Sequence, residues 1–105
     1  MNSTKRRLQI ACLQTNPQPD FQTALDQAIS LAEEAATSGA DFIATPEYCG
    51  GLKTEGASFA PPSAPEASHP VLNGLRTFAK DRSKFMLIGS VAIDGPDAHP
   101  VRLRL

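Results

Sequence analysis

The chain has 105 residues, 41% of them hydrophobic, which suits one small domain with a core and gives no sign of two. Its formal net charge of -1 and pI near 6.1 supply no electrostatic pull toward nucleic acid or an anionic membrane, so small neutral partners are expected. The two cysteines, Cys12 and Cys49, form neither a disulfide scaffold nor a metal-ligand spacing, and no apolar run reads as a secretory signal or membrane helix, so a cytoplasmic protein without a metal is expected.

Residues 8–14 read as the first strand. Ile10-Ala11-Cys12-Leu13 is a nearly continuous apolar run, the pattern of a strand covered on both faces. Cys12 is accordingly expected to be buried as packing, because an enclosed cysteine behaves as a small hydrophobe with an unreactive thiol. Asn16-Pro17-Gln18-Pro19-Asp20 then ends the strand, and Asp20 is placed to cap a helix. That helix is predicted over residues 21–38. Phe21, Ala24, Leu25, Ala28, Leu31, Ala32, Ala35 and Ala36 recur at three- and four-residue spacing on one face, while the acidic residues fall elsewhere on a solvated one.

Gly39 suits the left-handed position that closes a helix, and residues 41–46 form a short second strand. Pro46 has no N–H to continue a ladder, so the strand delivers Glu47 at its exit. Strand, helix and strand together have the length of a parallel βαβ unit. Residues 14–16 and 45–49 should then converge at one edge of the sheet. Open α/β sheets hold their ligands at the carboxyl ends of their strands, which makes Glu47 the first candidate for chemistry.

The order of this first strand, an amphipathic helix, and then Gly39-Ala40-Asp41-Phe42-Ile43-Ala44-Thr45-Pro46-Glu47 resembles the amino-terminal part of the nitrilase, or carbon–nitrogen hydrolase, superfamily. The resemblance runs from about Leu8 to Ile93. It implies an α/β fold, part of a four-layer α-β-β-α sandwich with about three strands and two helices present in residues 1–105. It also implies that Glu47 is the catalytic glutamate. In that family a cysteine thiolate attacks the carbon of an amide or nitrile, and a lysine steadies the developing charge. The glutamate takes the thiol proton and later activates the water that cleaves the thioester. A base is needed because a free thiol is mostly protonated at neutral pH, and a carboxylate partly withdrawn from water suits the task. No organic cofactor or metal is implied. The complete protein would act on a small amide or nitrile and form a homo-oligomer.

The family's lysine and cysteine lie further along the chain than the part that matches, so Lys53, Lys80 and Lys84 are not promoted to the missing role. Cys49, two residues from Glu47, stands too close for both side chains to address one reacting carbon from opposed sides. It is expected to pack or to line the site.

Residues 50–69 are rich in Gly, Pro, Ser and Ala and are expected to form a long loop over Glu47, with Lys53 and Glu55 on its surface. A second helix is predicted over residues 70–82, with Pro70 in its first turn and an apolar stripe of Val71, Leu72, Leu75, Phe78 and Ala79. A third strand follows over residues 85–93, with Gly89 as a point of close backbone approach. After the turn at Asp94-Gly95-Pro96-Asp97, residues 98–105 alternate only weakly; a hairpin strand beginning at Val101 would fit the family resembled, but the sequence stops where that strand would be getting started. His69 and His99 each stand beside a proline and lack a spaced partner for a metal or a triad.

Two functional classes follow. One is the amino-terminal fragment of a carbon–nitrogen hydrolase, inactive alone. The other is a non-catalytic α/β interaction module or truncated inactive product using the same half-sheet. The resemblance also implies that one sheet face would lack its covering layer here, which predicts an exposed apolar patch and poor solubility or self-association.

Overall fold

The structure, a computed structural model of the chain, describes residues 7–95 and 102–104. Over these residues it is a mixed α/β unit built from two helices and three small sheets. Strands β1 (Ile10–Cys12), β2 (Phe42–Ala44) and β6 (Phe85–Leu87) form a parallel sheet in the order β1-β2-β6. Its register aligns Ile10 with Phe42 and Phe85, and Cys12 with Ala44 and Leu87.

Helix α1 (Phe21–Thr37) starts where the Asp20 carboxylate accepts the Thr23 N–H at 2.8 Å. It ends in a Schellman turn, with the Ala40 N–H on the Ala35 carbonyl, the Gly39 N–H on the Ala36 carbonyl, and Gly39 at φ 97°. Helix α2 (Pro70–Arg82) ends in the same way, with Lys84 bonding Ala79 and Ser83 bonding Lys80. Here Ser83 takes the left-handed position at φ 53°.

Both helices lie on one face of the parallel sheet. Ala32, Ala35 and Ala36 of α1 and Phe78 of α2 pack with Leu13 and Ile43, and Ala11 and Met86 join them. The alanine face of α1 brings the helix backbone close to the strands. Gly74 performs a similar service between helices, since a Cβ there would lie 2.6 Å from a Leu25 methyl. An Arg82–Glu33 ion pair also joins the helices, but both groups are substantially exposed and the pair contributes little.

The opposite face is bare, which corrects the expectation that the first strand is covered on both sides. Ile10, Phe85 and Leu87 are 60%, 73% and 55% exposed, and Cys12, expected in the core, is exposed too. The physical reason is the strand period of two. Ala11, Ile43 and Met86 face the helices, so Ile10, Cys12, Phe42, Ala44, Phe85 and Leu87 face away, where no second layer lies among the described residues.

Residues 50–69 hold more structure than expected. They contain an antiparallel hairpin of β3 (Lys53–Glu55) and β4 (Ser58–Ala60), a short strand β5 (Ser63–Ala64), and a 3-10 turn at Glu66–Ser68. The third predicted strand divides at residues 88–90 into β6 and β7 (Val91–Ile93), which belong to different sheets. Strand β7 pairs parallel with β5 and antiparallel with β8 (Arg102–Arg104), a strand beyond the three expected. Val101 and His99 lie outside the described residues.

Candidate functional site

Glu47 occupies a turn just beyond the carboxyl end of β2. The end of β1 is alongside, because the Leu13 N–H bonds the Ala44 carbonyl at 2.9 Å. On the other side the Thr45 N–H bonds the Leu87 carbonyl, also at 2.9 Å. The expected convergence of strand ends is therefore present.

A chain of hydrogen bonds fixes the turn. The Gly89 N–H donates to Thr45 Oγ1 at 3.0 Å, and the Thr45 hydroxyl donates to Cys49 Sγ at 3.3 Å. The Cys49 thiol in turn faces the Ser90 carbonyl at 3.5 Å. Ser90 holds the same turn twice more, its Oγ accepting the Tyr48 N–H at 2.9 Å and its carbonyl accepting the Cys49 N–H at 3.1 Å. Thr45, Cys49 and Ser90 are all buried, so these bonds satisfy polar groups that burial would otherwise penalise.

Tyr48, immediately after Glu47, has φ 54°, the left-handed region that a side chain normally avoids at a cost of roughly 1–2 kcal/mol. Two features hold it there. Its N–H is bonded to Ser90 Oγ, and its carbonyl accepts the Gly51 N–H at 3.0 Å.

The Glu47 side chain is exposed and makes no hydrogen bond or ion pair with any described residue. Exposure corrects two expectations, because the carboxylate is not withdrawn from water and residues 50–69 do not close over it. Their path explains why. The Leu52 N–H bonds the Gln18 carbonyl at 2.7 Å, and Gly51 packs against Pro62, drawing the segment toward the start of α1. Two open hollows among the described residues lie at the other end of the sheet, one lined by Gln9, Ile10, Ala40 and neighbours, the other by Glu33, Glu34, Thr37 and Ser38. Neither borders Glu47.

Cys49 is buried, and loss of hydration pushes its thiol above the ordinary range even though Thr45 and Ser90 partly oppose this. A thiol held protonated in this way is a poor nucleophile. Lys53 is exposed on the β3–β4 hairpin. Among the described residues, no three or more His, Cys, Asp or Glu side chains gather as a metal site.

The residue that sequence reasoning undervalued is His69. It is fully buried and caps α2, with Nδ1 accepting the Val71 N–H at 3.2 Å and the Leu72 N–H at 3.4 Å. Its ring meets Phe21 edge-on at 4.8 Å and lies against Gly50, where a Cβ would come within 3.3 Å of Cε1. Because Nδ1 accepts, the neutral ring carries its proton on Nε2, which has no hydrogen-bond partner among the described residues. Burial lowers the imidazole pKa, outweighing the Ala92 carbonyl and the Asp94 carboxylate, which favour the proton. The available signal was His-Pro at the start of an apolar helical stripe, but histidine is not among the preferred capping residues.

Neither protein-family models nor curated protein sequences give a match to this chain.

Proposed function

We propose that the chain is the amino-terminal part of a carbon–nitrogen hydrolase, contributing Glu47 as the general base of a Glu-Lys-Cys mechanism on a small amide or nitrile. The observation that carries this reading is the placement of Glu47. It leaves β2 at the carboxyl end of a three-stranded parallel sheet, on a turn clamped to Gly89 and Ser90 and strained at Tyr48. Its carboxylate is left without a described structural partner. A capping or ion-paired role would engage that group.

In the proposed reaction on an amide, the carboxylate removes the proton of a cysteine thiol supplied by a later segment. Sulfur then attacks the amide carbon, the amine leaves with a proton, and a thioester remains. The same carboxylate takes a proton from the water that cleaves the thioester, while a lysine stabilises the developing oxyanion. The four-layer sandwich belongs to this proposal, with the bare face of the parallel sheet as the side that a second sheet would cover.

The present chain supplies only the base, and residues that act as a unit fail together when one is missing. The 105-residue protein should therefore show no turnover on a panel of small amides and nitriles. Extending it with downstream coding sequence that contains a lysine and a strand-end cysteine should give turnover that thiol alkylation abolishes. A folded extended protein that remains inactive on the whole panel would overturn the reading. The bare apolar face favours a second reading for the 105-residue chain alone, that of a non-catalytic interaction module.

A further inference from the structure

The outer face of the parallel sheet carries two aligned rows, Ile10-Phe42-Phe85 and Cys12-Ala44-Leu87. None of the six side chains is charged, and three of the large ones are more than half exposed. Together with Leu8 beside them, they leave an apolar area on the order of 500 Å², the size at which a patch on a soluble protein marks an interaction site.

We propose that this face is a two-fold interface between two copies of the chain, packed sheet against sheet. The proposal concerns the 105-residue chain by itself and needs no catalytic role for Glu47; in the complete hydrolase proposed above, a second sheet would take the same face.

Three observations select a second copy as the occupant. A two-fold contact sets a patch against itself, so a patch of one charge would repel its copy. These two rows carry no charge, and the whole chain carries only -1. The rows also differ in size in a way that suits self-packing. A two-fold axis perpendicular to the strands and midway between the rows sets Phe42 over Ala44 of the other copy, Ile10 over Cys12 and Phe85 over Leu87. Two of the three pairs thereby set a bulky group on a small one, which suits close packing of two sheets about 10 Å apart, and the third joins the exposed Phe85 and Leu87 across the contact. The area is also adequate for a reversible pair, since two such faces bury on the order of 1,000 Å², the lower bound of a specific interface. A dissociation constant in the micromolar range is therefore expected.

Cys12 provides an internal probe, because it lies within the face while Cys49 is buried in the core. Sedimentation velocity from low micromolar to several hundred micromolar protein should show a monomer giving way to a dimer. Over the same range, alkylation of Cys12 by a maleimide should slow several-fold. Leu87→Lys should abolish the dimer with the circular dichroism spectrum unchanged. Phe59→Lys, at an exposed aromatic on the β3–β4 hairpin outside the face, should leave the dimer intact.

A wild-type chain that stays monomeric throughout would overturn the proposal, as would open-ended aggregation. So would a dimer in which Cys12 keeps its monomer reactivity, because association through the edges of β1 or β6 would leave the face accessible.

Discussion

Gly89 lies directly against Pro46. A Cβ on Gly89 would sit 2.3 Å from the Pro46 carbonyl oxygen and 2.5 Å from that of Thr45. The chain that leaves β6 can cross the turn carrying Glu47 only because residue 89 has no side chain, and this crossing also divides β6 from β7. Gly89→Ala should cost about 2 kcal/mol or more, because the obstruction is backbone and cannot rotate away. Urea denaturation measures the loss. An unchanged midpoint would mean that the two segments are not in contact.

The His69 cap makes stability depend on pH. Its imidazole is held below its ordinary pKa of 6.5 in the folded protein, so below that pH the unfolded chain binds a proton that the folded chain resists. Stability from this group is present above the unfolded value and is lost as pH falls through it toward the folded value. Protonation would also remove the Nδ1 lone pair that accepts both α2 N–H groups. Comparing His69→Asn with the parent should show a smaller fall in melting temperature on acidification from neutrality. Parallel pH profiles for the two proteins would rule out this role for His69.

Ser83 closes α2 at φ 53°, a position glycine adopts without penalty. Ser83→Gly should raise stability by up to about 1 kcal/mol, because relief of the left-handed strain outweighs the added freedom of the unfolded chain. A lower unfolding midpoint would indicate that the serine contributes more than the backbone conformation suggests.

The cysteines should separate by reactivity. In dilute native protein Cys12 should react with a thiol reagent at once, and Cys49 only after denaturant is added. Two fast thiols would mean that the Thr45–Cys49–Ser90 turn is open in solution.

Much of this architecture was legible in residue patterns. The alanine stripe from Ala24 to Ala36, Asp20 as a cap and Gly39 as a stop define α1, and helix periodicity with a Pro at N1 defines α2. The exit of β2 at Glu47 followed from proline chemistry, and the close approach at Gly89 was anticipated. Burial was less accessible. Ile10-Ala11-Cys12-Leu13 reads as apolar on both faces whether or not a layer covers the second one, so Cys12 was misplaced. The division of residues 85–93 depends on a contact between Gly89 and Pro46, 43 positions apart, that local pattern cannot report. Residues 50–69 look like loop by composition, yet the pairing of Lys53–Glu55 with Ser58–Ala60 around Gly56, at φ 59°, makes a hairpin. The Glu47 position could be read as a strand exit, but its openness to solvent depends on where the following segment travels.

The most direct measurement of the central claim is turnover by the extended protein carrying Glu47→Gln. The amide keeps the size and shape of the side chain and removes the proton acceptor. The exposed position should tolerate it with an unchanged melting temperature. If Glu47 is the base, amide turnover should fall by at least about 10²-fold, the usual contribution of a general base, with folding intact. If the Glu47→Gln protein turns over its substrate as fast as its parent, Glu47 is not the base and the assignment is wrong.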